Sequence, residues 1–420
     1  MDKHVFSEII GYEDIKLELL RILDQLTDPQ KYAALGVTAP HGLLLHGEPG
    51  VGKSTFARCF LEASGRKTFI CRKDKPNGDF VKEISRIFDE AAENAPSVIL
   101  LDDLDKFANE DERHRDAEEF VTVQACIDRV KDQQVFVIAT VNNVRKLPDS
   151  LRRAGRFDNV LTIECPEGKD AHRIVKHYLN RKSYVADVDV DSIARLLEGR
   201  SCAELESVVN QGGVYAAFEG RAQVEMKDLI KAILRIIFEA PEQLDPTDDC
   251  VELVACHEAG HTLVAELLEP GSVDLVTVLR HNSDNCGVTS LHRDSRYFHT
   301  KKLMEIRVMC LLAGKAATEI CYGATDTGTI SDLRRAFDIV HRFVDDYCSF
   351  GFDRFVYTDT VSEDLLARRD AQVASELDRY YQQVRQLLVE NRQKLDALTA
   401  RLTAEKTLLA PQIRQILNCA

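Results

Sequence analysis

Two short stretches of this 420-residue chain place reactive side chains at spacings that chemistry requires. The first reads Val254-Ala-Cys-His257-Glu258-Ala259-Gly260-His261. On a helix, residues four apart share a face, with Cβ atoms roughly 5–6 Å apart. His257 and His261 can therefore hold one zinc ion between them, with Glu258 aimed at water beside the metal as a general base. Zinc lowers the pKa of such a water toward about 7 and polarises a peptide carbonyl, which is hydrolytic chemistry. The same spacing also occurs on helices whose histidines only pack or face solvent, so a third ligand has to decide.

The second stretch is Gly47-Glu48-Pro49-Gly50-Val51-Gly52-Lys53-Ser54, after the apolar run Leu43–His46 and before the helical run Thr55–Ser64. Glycines at these positions let backbone amides turn inward around phosphates, and the following helix adds its positive end. Lys53 then reaches the β- and γ-phosphates of ATP, and the Ser54 hydroxyl holds Mg²⁺. Downstream, Val98–Leu101 runs into Asp102-Asp103. A buried strand ending in carboxylates supplies a magnesium partner, Asp102, and a base that activates water, Asp103. Alone that pattern is weak; behind a phosphate loop it is strong.

The elements that position these groups are legible as pattern. Apolar runs at Gly42–His46, Lys67–Cys71, Ser97–Leu101, Val135–Thr140 and Val160–Ile163 alternate with helical periodicities. Strands of this kind predict a parallel sheet covered on both faces. From Gly168 to about Glu239 the pattern is helical, with segments at Asp191–Leu197, Ala203–Glu219 and Met226–Ile237. Ala240–Asp249 reads as an acidic, proline-bearing linker. Beyond it the chain is mainly helical, with strand-like patches at Val273–Leu279 and Gly287–Leu291 and a tail, Ser362–Leu417, that reads as a packed helical hairpin. The expected domains are a nucleotide-binding α/β domain over 1–166, a helical lid over 167–240, a linker over 241–249 and a metallopeptidase domain over 250–420.

Composition narrows the class. Apolar residues at 45% and charged residues at 29% are those of a globular protein. A net charge of −15 offers no basic surplus for nucleic acid. The 12 cysteines include no Cys-x-x-Cys pair, so reduced, buried thiols are expected. Neither a signal segment nor a run of eighteen apolar residues is present, which points to the cytosol, with attachment at a membrane surface left open.

With these motifs in hand, the chain resembles the AAA+ ATPases and, within them, the FtsH family of membrane-anchored ATP-dependent zinc proteases. The likeness runs from Phe6 to the tail helix around Glu390–Leu398. It implies an AAA+ module with a helical lid and a mainly helical, zincin-like peptidase domain, working with Zn²⁺, ATP and Mg²⁺ on protein substrates. Phe6–Gly11 resembles the segment near the adenine, which brings Ile10 and Gly11 to the nucleotide beside Gly47 to Thr55. Thr140-Val-Asn142-Asn143 resembles the strand end whose polar residue, here Asn142, positions the attacking water. Leu151–Asp158 resembles the segment that lends arginine fingers, so Arg153 and Arg156 act in trans within a homohexamer; surface ion pairs are their alternative role. Asp326–Ala336 resembles the segment that carries the third zinc ligand, here Asp332, which can also serve as a helix N-terminal acid. Glu319 either orients a ligand histidine or is simply a helix-end acid, and the strand patches resemble those beside which substrate adds as an edge strand.

Two departures matter. The family usually has Asp-Glu where this chain has Asp102-Asp103, so slow hydrolysis is expected. The pore region is shorter, and Phe80, within Lys75–Lys82, is the one candidate for the aromatic that grips substrate; a buried helix-start residue is the other reading. The family's N-terminal membrane spans are missing, and the expectation is a soluble branch. A processive protease leads the functional readings. The alternatives are a peptidase whose weak motor mainly gates ring assembly, and a remodelling ATPase.

Overall fold

The computed structural model describes residues 5–74, 77–107, 117–153, 155–184, 188–240, 250–281, 285–292, 299–323, 327–351 and 362–419. Lys75, Pro76, the linker residues 241–249 and Asp326 lie outside them. The chain divides into two compact units, Met1–Leu229 and Ile230–Ala420.

The first unit opens with helices α1 (Glu13–Thr27) and α2 (Pro29–Ala33), then alternates strand and helix. Its elements are β1 (Gly42–His46), α3 (Lys53–Ser64), β2 (Lys67–Arg72), α4 (Asn77–Glu93), β3 (Ser97–Asp102), α5 (Ala117–Val130), β4 (Val135–Val141) and β5 (Asn159–Thr162). The strands form one parallel sheet in the order β2-β3-β4-β1-β5. Alternate residues feed two separate cores. Leu43, Leu45, Val98, Leu100, Phe136 and Ile138 join one; Leu44, Ile99, Leu101, Val137 and Ala139 join the other. That division is why the central strands read as unbroken apolar runs rather than as alternation.

The edge strands differ. β2 is largely exposed, with only Cys71 buried, and β5 is half exposed. Helices α6 (Gly168–Leu179), α7 (Val190–Leu196), α8 (Cys202–Phe218) and α9 (Met226–Ile236) follow, the last crossing the division between the units. Ser201 opens α8 with a reciprocal capping box to Glu204, which satisfies amides that the first turn cannot pair.

The second unit comprises α10 (Val251–Leu268), β6 (Val273–His281), β7 (Asn285–Leu291), α11 (Lys301–Tyr322), α12 (Thr329–Asp345), α13 (Glu363–Glu390), α14 (Arg392–Glu405), β8 (Thr407–Leu409) and α15 (Ala410–Cys419). The tail departs from the expected helical hairpin by one short strand. Thr407–Leu409 pairs antiparallel with β6, giving a three-stranded sheet β7-β6-β8. Helix α10 packs on α11 through small residues that face each other. A Cβ on Gly260 would come within 2.6 Å of the Ala313 carbonyl oxygen and the Ala317 methyl. Among the described residues, no helix is long and apolar enough to cross a membrane.

Candidate functional site

The metal constellation is assembled by two helices of the second unit. His257 and His261 stand one turn apart on α10, and Asp332 lies in the first turn of α12. Nε2 of His257 is 3.0 Å from Nε2 of His261. Oδ2 of Asp332 is 3.4 Å from the first and 3.2 Å from the second. One ligand atom from each of the three residues lies within 4.8 Å of the others.

The surroundings fit a cation. Nδ1 of His261 donates to the Cys310 carbonyl 2.6 Å away, which leaves the Nε2 lone pair facing the cluster. Two imidazole nitrogens and a carboxylate oxygen at this separation form a donor set that one cation can share. The room is supplied by Gly314 on α11: a Cβ there would fall 2.4 Å from Nε2 of His257 and 2.6 Å from Nε2 of His261. Burial alone would raise the Asp332 carboxyl, but in the metal-free site protonated His257 and His261 rings outweigh it, by hydrogen bonding and charge, and hold it well below the usual carboxylate range.

Glu258 is buried beside the histidines, and β7 closes over it. The Thr289 hydroxyl donates to its Oε2 at 2.6 Å. Gly287 adopts φ +80°, and a Cβ there would approach Oε1 to 2.6 Å. Burial pushes the Glu258 carboxyl up, against the pull of the two histidines and Thr289. A carboxyl raised in this way is suited to exchanging a proton with water. Glu319 sits at the far end of α11 in a polar cluster with Lys315, Tyr381 and Arg385, the setting of a helix-end acid.

The nucleotide residues collect at the C-terminal ends of β1, β3 and β4 in the first unit. Gly50 and Gly52 take φ +83° and +100°, conformations that side chains resist, and α3 starts directly after them. Glu48, Pro49, Gly50 and Ser54 are exposed. Lys53 is buried and folds back to donate to the Gly47 and Glu48 carbonyls, each at 2.8 Å. Burial lowers its pKa, opposed by Asp103, Asp105 and Asp102. A pocket beside the loop is lined by Ile10, Val51, Gly52, Thr55, Ile174 and Cys202. Gly11, at φ +73°, lets Asp170 approach and accept from the Tyr12 amide at 3.0 Å. Asp103 pairs with Lys106 at 2.6 Å, and the Asn142 amide reaches its other oxygen at 3.5 Å.

Three groups sit apart from this cluster. Arg156 is held by Asp128 through bonds of 3.0 and 2.7 Å, whereas Arg153 is exposed. Phe80, the candidate gripping aromatic, is fully buried on α4 and packs edge-on against Phe107 at 5.0 Å. It belongs to the core and cannot grip a passing chain.

Ile174 and Cys202 of the nucleotide pocket come from α6 and α8, and Thr289 and Gly314 from β7 and α11; no local motif marks them. The Cys310 contact is a backbone carbonyl and leaves no side-chain signal at all.

Comparison with known proteins agrees with the geometry. The profile of the ATPase family associated with various cellular activities (AAA) matches residues 43–165, that of the AAA+ lid domain 187–231, and that of peptidase family M41 247–416. Fold and site thus define an AAA+ ATPase module followed by a metallopeptidase. Among relatives, the ATP-dependent zinc metalloproteases FtsH of Pelobacter propionicus and Thermus thermophilus are each 29% identical, over 98% and 99% of this chain and 71% of each relative. That of Bacillus subtilis is 27% identical over 98% of this chain and 70% of the relative. The chain belongs to the FtsH family of AAA+ zinc metalloproteases. It is accordingly an ATP-dependent metallopeptidase with ATPase activity, working with zinc, ATP and magnesium.

Proposed function

We propose that His257, His261 and Asp332 hold the zinc and that Glu258 is the general base of peptide-bond hydrolysis. The convergence of those three ligand atoms around a site that only a glycine leaves open carries this reading. Bound there, zinc would polarise the scissile carbonyl and acidify water. Glu258, buried and oriented by Thr289, takes the proton of the attacking water and returns it to the leaving amine. The substrate strand pairs with the edge of β7, which borders Glu258.

In the motor, Gly47 to Thr55 cradle the phosphates, with Ile10 and Gly11 at the base. Asp102 and Ser54 hold magnesium, which would neutralise charge on the β- and γ-phosphates. Asp103 and Asn142 orient the attacking water. Arg153, exposed in the single chain, reaches the γ-phosphate of a neighbour in a homohexamer, and Arg156 joins it by exchanging Asp128 for phosphate. The functional divisions are 1–166 for the ATPase domain, 167–240 for the lid, 241–249 for the linker and 250–420 for the peptidase. Protein substrates are unstructured segments, and the ring works in the cytoplasm. With Phe80 in the core, a motor that gates the ring more than it threads substrate is the second reading.

Glu258→Gln tests the peptidase assignment. The variant should keep its zinc and its ATP hydrolysis and lose digestion of casein. Digestion at the wild-type rate by a zinc-loaded Glu258→Gln enzyme contradicts it.

A further inference from the structure

Asp102, the last residue of β3, and Asp103, which follows it, are joined by a single hydroxyl on the neighbouring strand. The β3–β4 ladder is in register from Ser97↔Val135 to Leu101↔Ala139. The next step would pair Asp102 with Thr140, but β3 ends at Asp102, and Asp103 turns to φ 55°, ψ 50°. The Asp103 amide therefore donates to the Thr140 hydroxyl instead, at 2.8 Å. That hydroxyl carries one proton, which it donates to Oδ1 of Asp102, also at 2.8 Å. Thr140 is only 1% exposed, so water has little access to replace either bond.

We infer that Thr140 is a positioning residue for ATP hydrolysis, one that sets the splay of Asp102 and Asp103 relative to each other. Its bond to Oδ1 leaves Oδ2, which faces the exposed Arg72 guanidinium at 3.8 Å, as the oxygen Asp102 offers to a cation. Its acceptance of the Asp103 amide fixes the left-handed turn from which the Asp103 carboxylate points toward Asn142. An aspartate has one methylene fewer than a glutamate with which to recover from a misplaced backbone, so this chain depends on the anchor. The inference rests on the proposed roles of Asp102 and Asp103 and goes beyond them, because Thr140 acts through those two residues.

The test compares Thr140→Val, which keeps the shape and removes the hydroxyl, with Thr140→Ser, which keeps the hydroxyl, in the full-length chain. The readouts are steady-state ATPase with Mg²⁺ varied, ATP binding without Mg²⁺, and thermal melting. Thr140→Val is expected to lose at least fivefold in kcat and to need several-fold more Mg²⁺ for half-maximal rate. Metal-free ATP affinity should stay as in wild type, and Thr140→Ser should stay within about twofold throughout. Wild-type kcat and Mg²⁺ requirement in Thr140→Val overturn the inference. So does a parallel loss in Thr140→Val and Thr140→Ser, or a lowered melting temperature with kcat per bound ATP unchanged; these mark a packing role only. Asp102→Asn run alongside separates the layers: if it keeps the wild-type Mg²⁺ requirement, the reading of Asp102 itself has failed.

Discussion

A methyl group on Gly314 would stand 2.4 Å from Nε2 of His257, inside van der Waals contact with the atom that faces the metal cluster. The absence of a side chain on α11 is thus part of the ligand geometry on α10. Gly314→Ala should therefore weaken zinc binding by about 10–100-fold, the scale of losses when the supports of a metal ligand are disturbed. Competition with a chelator measures this directly, and the helix itself should tolerate alanine. Wild-type affinity in Gly314→Ala would show that the histidines need no such clearance.

The Asp103 carboxylate is drawn toward Lys106, 2.6 Å away, and is shorter than the glutamate usual in the family. Asp103→Glu should extend past this pair toward the water beside Asn142 and raise ATPase kcat by severalfold, with KM little changed. An exposed ion pair such as Lys106–Asp103 contributes about 0–1 kcal/mol, too little to hold the longer chain back. Turnover that is unchanged or lower in Asp103→Glu would place the limit on hydrolysis elsewhere.

Arg153 is solvent-exposed in the single chain, while Arg156 is committed to Asp128. If both act on a neighbour, Arg153→Ala and Arg156→Ala should each cut ATPase by roughly 100-fold or more, as removal of an arginine finger does elsewhere. Mixing Arg153→Ala subunits with Lys53→Ala subunits should then restore part of the activity, because some interfaces regain an intact loop facing an intact arginine. Activity of the mixture no higher than its parts contradicts action in trans.

Much of this was legible in the sequence, for physical reasons. β1, β3 and β4 are buried on both faces and so appear as apolar runs, and the phosphate loop and paired histidines carry chemistry within a few residues. Asp332 was reachable only through the family resemblance, since it lies on a separate helix and could equally serve that helix's N-terminus. Phe80 stayed open between two readings, because an aromatic near a helix start looks the same whether it faces a pore or a core; its packing on Phe107 decides for the core. Thr407–Leu409 was hidden in a helical tail, since three residues are too few to impose a period of two. Thr140, Thr289, Gly314 and the Cys310 carbonyl act across strands or helices, through contacts that no local spacing encodes.

The central claim is that one chain couples a nucleotide motor to a zinc peptidase, and zinc reconstitution tests it most directly. Enzyme stripped of metal is titrated with zinc while casein digestion is followed with ATP, without nucleotide, and in Lys53→Ala. The account predicts no digestion at zero zinc, full recovery at one zinc per chain, and a rate that collapses without ATP or in Lys53→Ala. Digestion by the stripped enzyme, or a rate indifferent to both ATP and Lys53, would contradict it.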